Sequence, residues 1–243
     1  MAMRLRGICV AFLLALTAGA TYLMSATSAL REEMLHNLLA LTGHLLIQPR
    51  VTPFTDWKAV ADKVSRVPGV RLAVPVVGGQ ALASSPFSAS SVLVRGIRGN
   101  DLMKLNSVTG NILQGTLDGF DESDSIVIGS RLAKELSVQA GDSITLVAPR
   151  DAVTPIGTSP RVKSYNIAAV FEVGMSEFDN AFVFMPLAEA QSYFERTGDV
   201  TAIEIHVAEP DKVSAVRQRV TEAAGRPTVV IDWRQRNATY FDK

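Results

Sequence analysis

The sequence predicts an α+β fold: an N-terminal transmembrane and stalk helix, then a split βαβ-containing domain with a small β-rich subdomain inserted in it. Three observations predict it. Residues 7–30 carry no charge. A strand, helix, strand unit occurs near each end of the body, over 44–77 and again over 202–233. Between them the chain breaks into short β-type runs separated by Gly, Asn, Asp and Pro.

The uncharged run from Gly7 to Leu30 has 24 residues. As a helix it rises about 36 Å, enough to cross a hydrocarbon core of about 30 Å. A secretory signal peptide is the competing reading, since Arg4 and Arg6 resemble its basic start and "ATSA" offers small residues for cleavage. The anchor is preferred because a signal's apolar region usually runs about 7 to 15 residues. Here helical spacing continues through "LREEMLHNLLALTG", with Met34, Leu35, Leu38, Leu39 and Leu41 in register, until Gly43 ends it. Arg4 and Arg6 set against Arg31, Glu32 and Glu33 favour a cytoplasmic N-terminus, with the rest of the chain outside. Cys9, within the run, reads as a small helix-packing residue.

In the body, "HLLIQP" is a short strand closed by Pro49. A helix capped by Thr55 or Asp56 follows, with Trp57, Val60, Ala61, Val64 and Val67 recurring until Pro68 and Gly69 end it, and "VRLAVPVV" returns as a strand. The second unit repeats the pattern: "AIEIHVAEP" alternates as a strand, Val213, Val216, Val220 and Ala223 share a helix face, and "PTVVIDW" is a strand. In the middle, "SVLVRGI", "SIVIG", "DSITLVAP", "VKSYNIAAVFEVG" and "AFVFM" read as strands. One helix is placed in "GSRLAKELSVQAGD", capped by Ser130. "GMSEFD" (174–179) is expected to be a structural corner, with Phe178, Phe182 and Phe184 in the core and Pro186 opening the next helix. The organisation that follows is residues 1–43 as anchor and stalk; 44–89 with 199–233 as the βαβ-containing domain; 90–198 as the inserted subdomain; and 234–243 as the start of a helix toward a second span.

Composition narrows the function. Lys and Arg total 24, as do Asp and Glu, so no nucleic-acid footprint is indicated, and one cysteine allows no internal disulfide and no cysteine-based metal site. No phosphate-binding G-x-x-x-x-G-K-[ST], zinc-binding H-E-x-x-H or nucleophile-bearing G-x-S-x-G occurs. His36, His44 and His206 lack ligand-like spacing and read as surface or satisfied structural histidines, and "DGFDESD" (118–124) reads as a solvated loop. The expectation is a non-enzyme with no catalytic, cofactor or metal residues.

"IGSRLAKELSVQAGDSITLVAP", "TPIGTSPRVKSYNIAAVFEVGMSEFD" and "VFMPLAEAQSYF", in this order, resemble the periplasmic core of the transmembrane subunits of lipoprotein-releasing ABC transporters (LolC/LolE type), within the MacB-like permease class. The resemblance runs from about Leu30 to Asp242. It implies a periplasmic domain in an inner-membrane permease that works with a second permease subunit and a cytoplasmic ATPase. Such a permease lifts lipoprotein cargo from the membrane and passes it to a soluble periplasmic chaperone. It also implies that "APRDAVTPIGTSPRVK" (148–163) is a projecting hook for that chaperone, with Thr154, Pro155, Ile156, Gly157, Pro160 and Arg161 as contacts, Ile156 being the exposed apolar one. Met34, Leu35, Leu38, Leu39 and Leu41 are expected either to pack on the chain's own domain or to meet a lipid tail or partner helix. Family members carry further membrane spans, so stopping after "DWRQRNATYFDK" reads as a truncated or split permease. A MacB-type efflux or FtsX-like permease is the near alternative. A secreted soluble binding module is the distant one.

Overall fold

In a computed structural model of the chain, the structure describes residues 41–51, 53–149, 159–196 and 198–236. The uncharged run, Met34, Leu35, Leu38, Leu39, His36 and loop residues 150–158 lie outside the described residues, as do 237–243. Residues 39–243 form one compact unit.

Strand β1 (Leu45–Pro49), helix α1 (Trp57–Ser65) and strand β2 (Val70–Ser84) come from the first unit. The second supplies β9 (Ala202–Val207), α7 (Val213–Ala224) and β10 (Thr228–Asp232), followed by the short helix α8 (Trp233–Arg236). β9 is antiparallel to both β1 and β2 and lies between them, while β1 lies between β9 and β10 and is antiparallel to both. The order β10-β1-β9-β2 therefore interleaves two split βαβ units. Trp57, Val60, Ala61 and Val64 of α1 and Val213, Val216, Val220 and Ala224 of α7 are the buried residues of their helices, Ala224 taking the place expected of Ala223. α1 packs on β2 and on α7, and α7 on β10. Each of these valines contributes about 1.5–3 kcal/mol on full burial.

β2 does not stop at the edge of this sheet. Its residues 77–84 pair with β3 (Ala89–Ile97). From there the pairing runs through β8 (Phe182–Pro186), β5 (Ser125–Gly129) and β7 (Arg161–Phe171) to β6 (Ser143–Ala148). β6 pairs back to β2, closing a ring, and the short strand β4 (Ile112–Gly115) adds to β7. Ile126, Ile128, Leu146, Phe171 and Phe184 from these strands are fully buried. Helical turns α2 (Gly99–Leu102) and α3 (Asn106–Thr109) precede β4, and helices α4 (Ser130–Glu135), α5 (Ser176–Ala181) and α6 (Leu187–Tyr193) pack around the ring strands.

Several local expectations are corrected. Asp56 occupies the N-cap position of α1 but makes no capping bond; its carboxylate instead pairs with Arg226, near the end of α7. Ser130 is the first residue of α4 rather than its cap, and its hydroxyl donates to Glu172 Oε1 at 2.9 Å. Pro186 ends β8, and α6 starts one residue later. β9 alternates in sequence, yet all six of its residues are buried, Glu204 and His206 included. Its second face is covered, because chain at Gly43–His44 lies across it and Arg95 of the ring reaches it.

The 174–179 segment is a corner. α5 folds back so that the buried carboxylate of Asp179 accepts hydrogen bonds from the backbone of Val173 at 2.8 Å and of Gly174 at 3.1 Å. Phe178 and Phe182 stack with ring centroids 4.9 Å apart, and Phe184 is fully buried beside them. Gly129 is required here: a Cβ would lie 2.2 Å from the carbonyl oxygen of Asp179.

Candidate functional site

The β6–β7 hairpin carries the loop 149–160 at its tip, and the structure describes the neck of that loop. Arg161, the first residue of β7, does not project toward solvent; its side chain is 12% exposed. Its Nη1 donates to Pro149 O across the neck at 2.9 Å, and its Nη2 donates to Glu195 Oε2 at 3.1 Å. A planar fork holds two acceptors in fixed directions, so Arg161 ties both ends of the loop to the chain just after α6. Pro160, beside it, is exposed. Thr154, Pro155, Ile156 and Gly157 lie outside the described residues.

Two to four residues further along β7 a second polar cluster reinforces the neck. Glu189 of α6 accepts from Lys163 Nζ at 2.9 Å and from Tyr165 OH at 2.6 Å, and Lys163 also pairs with Asp124 at 3.0 Å. Burial pulls the Lys163 pKa down, but its bonds to Glu189 and Asp124 outweigh this and raise it. Tyr165 meets Tyr193 edge-on at 5.9 Å, and burial pushes the Tyr193 phenol up to about 12, with Arg161 pulling the other way. A shallow groove of about 560 Å³ opens beside the neck between Ser159, Pro160, Arg161, Glu189, Tyr193 and Glu195. On the outer face just below, Leu82, Val147 and Val162 stand in one cross-strand row, Leu82 being 44% and Val162 61% exposed. The arrangement is suited to holding a loop in place with an apolar strip at its foot.

The sequence singled out Arg161 as a hook contact, the structure gives its side chain a latch at the neck, and Glu189, Glu195, Tyr165 and Tyr193 were missed. The charge complement between "PRVKSY" and "LAEAQSYFE" was the available signal. Leu41, expected on the stalk face, is fully buried in its own domain. The acidic segment 118–124 is partly structural: Asp121 accepts the Gly99 N–H through both oxygens, at 2.8 and 2.9 Å, and Phe120 is buried. His44 and His206 are buried and meet edge-on at 6.1 Å.

Fold and site together define a mixed α/β scaffold, with one large sheet, that presents a long loop latched at its neck. A profile for the MacB-like periplasmic core domain matches residues 8–223, and the chain belongs to that family. It is similar to the lipoprotein-releasing system transmembrane protein LolC of Xylella fastidiosa (strain Temecula1 / ATCC 700964), at 26% identity over 238 residues, covering 96% of this chain and 57% of that protein. LolC of Neisseria meningitidis serogroup B is 25% identical over 221 residues, covering 90% of this chain and 53% of that one. LolE of Haemophilus influenzae is 24% identical over 192 residues, covering 77% and 46% respectively. The chain thus spans about half the length of these relatives. Among solved structures, the periplasmic region of MacB from Actinobacillus actinomycetemcomitans shares the fold, with a TM-score of 0.51 at 9% identity over 87% of this chain and 99% of that one.

Proposed function

We propose that this chain is the periplasmic portion of an ABC transporter permease that helps release lipoproteins from the inner membrane and pass them to a soluble periplasmic chaperone. The observation that carries the reading is the match to lipoprotein-releasing LolC over 96% of the chain. The latched neck of the 149–160 loop supports it, because a loop held at its base loses less entropy on binding. In this reading the chain does no chemistry; a separate cytoplasmic ATPase supplies the work, and a second permease subunit completes the membrane part. Residues 1–43 anchor it with the N-terminus in the cytoplasm, and Met34, Leu35, Leu38 and Leu39 meet a partner helix or a lipid tail. Residues 44–89 with 199–233 and residues 90–198 act as the two parts of the periplasmic body, with Thr154, Pro155, Ile156, Gly157 and Pro160 forming the chaperone contact.

The test titrates the full chain, in detergent, with a soluble periplasmic lipoprotein chaperone. Ile156→Asp is expected to weaken binding by more than tenfold, since a carboxylate at the centre of an apolar contact costs about 2 kcal/mol or more. Gly157→Val acts the same way where the turn needs positive φ. Glu135→Gln, on the exposed end of α4, is the control. Unchanged affinity in both loop variants, with circular dichroism showing them folded, would make the loop a mere connection and move the reading to a MacB-type efflux or FtsX-like permease.

A further inference from the structure

The sheet and the ring meet on one strand. β2 pairs with β9 as far as Val76↔Ala202 and with β3 from Val77↔Gly96 onward, so its partner changes between Val76 and Val77. Gly78 and Gly79 follow at once. A strand that changes sheets beside two residues lacking Cβ bends there at little cost.

Two side chains span this point. The Thr201 hydroxyl donates to Val76 O and accepts from the Gly78 N–H, both at 2.9 Å. The second is Arg95, the cross-strand register partner of Gly78. Its guanidinium donates through Nη1 to Leu41 O at 3.1 Å, just before Gly43, and pairs through Nη2 with Glu204 on β9. Its Cζ lies 5.5 and 5.7 Å from the ring centroids of Phe182 and Phe184 on β8. Arg95 is 6% and Glu204 7% exposed. The chain that follows Leu41 also lies against β9: His44 N donates to Ile205 O at 2.7 Å, and Gly43 has φ +69° where a Cβ would meet Ile205 O at 3.2 Å. One guanidinium, borne on β3, therefore touches the chain at Leu41, the four-stranded sheet and a second strand of the ring.

Stability is a poor reason for such a pair, because a buried ion pair can often be replaced by apolar side chains of similar volume at no net loss. What apolar side chains cannot reproduce is a planar fork with bonds fixed in two directions. We propose that the Arg95–Glu204 pair is a joint that holds the sheet, the ring and the chain at Leu41–His44 in one relative orientation across the bend at 76–79, so that the three move as one body. This rests on the buried contacts alone and does not depend on what the 149–160 loop binds.

The test measures the orientation directly. The full chain in detergent, in a Cys9→Ser background, is spin-labelled at Ala89→Cys on the ring and Ser214→Cys on α7, both exposed positions, and the interlabel distance distribution is recorded by pulsed EPR. A single narrow distribution is expected with the pair intact and with Thr201→Val. A broadened or two-peaked one is expected with Arg95→Met and, less strongly, with the isosteric Glu204→Gln. The double variant Arg95→Met/Glu204→Leu separates joint from stabiliser: its urea midpoint is expected to recover toward that of the intact protein while its distance distribution stays broad. A narrow distribution in the double variant or in folded Arg95→Met would overturn the proposal. So would failure of all three pair variants to fold while Thr201→Val folds, since the pair would then be a requirement of the fold rather than of the orientation.

Discussion

Asp179 and Gly129 carry the corner after β7, and neither is replaceable by its nearest relative. A Cβ at Gly129 would sit 2.2 Å from a backbone oxygen that has no flexible end to yield, so Gly129→Ala is expected to destabilise by about 3 kcal/mol or more, read from urea unfolding. Asp179→Asn keeps the shape but has one acceptor oxygen where two backbone N–H groups need bonds, and is expected to cost about 1–3 kcal/mol. The pH dependence has a definite sign. Burial raises the Asp179 pKa above its ordinary 3.8, and the bonds from Val173 and Gly174 only partly oppose it. A raised folded pKa means that the contribution is full below the unfolded value and declines as pH rises through the folded one. As pH rises from the ordinary carboxylate value through the raised folded one, the native protein should lose stability relative to Asp179→Asn, and a parallel pair of curves would contradict this assignment.

At the scale of elements, α6 connects the ring surface to the loop neck. It sits on a seat of glycines: a Cβ at Gly96 would lie 2.1 Å from Ala190 Cβ, and one at Gly79 would lie 2.3 Å from the Phe194 ring. The same helix supplies Glu189 to Lys163 and Tyr165, and the chain just beyond it supplies Glu195 to Arg161. Gly96→Ala should lift α6 off its seat at a cost of about 1–3 kcal/mol, lowering Tm by about 2–4 °C for each kcal/mol in a chain of this size. Ala190→Gly in the same chain removes the clashing methyl. It should recover part of the loss and not all of it, because glycine inside a helix itself costs up to about 1 kcal/mol. Strict additivity of the two changes in calorimetry would show that the helix is seated elsewhere.

For the whole molecule, the question is whether residues 7–30 hold it at a membrane. Among the described residues no helix is long and apolar enough to cross one. The expectation therefore rests on the uncharged run of residues 7–30. Its length exceeds what a cleaved signal needs, so the expressed protein should keep its N-terminus and fractionate with the inner membrane. Intact-mass measurement decides this: loss of about 25 to 30 residues with release into the periplasm would establish a signal peptide instead. Balanced charge adds a second expectation, that affinity for a neutral membrane surface should change little with salt.

Much of the periodic structure was legible in the amino-acid sequence: both strand, helix, strand units, the apolar face of α1 and most of that of α7, the run of short strands between them, and the corner at 174–179. These follow from repeats of two and of 3.6 residues, which are local properties of the chain. The caps at Asp56 and Ser130 were misread because both side chains found distant partners, in Arg226 and Glu172, that local rules do not weigh. Only the tertiary structure decided that Arg161 turns inward to close a loop neck, and that β9 is buried on both faces. It also decided that Arg95 and Glu204, 109 residues apart and each the lone charge in an apolar strand, meet beside the point where β2 changes sheets. A charge is placed by whichever opposite charge folding brings near it once water is excluded, and nothing in the one-dimensional pattern encodes that meeting.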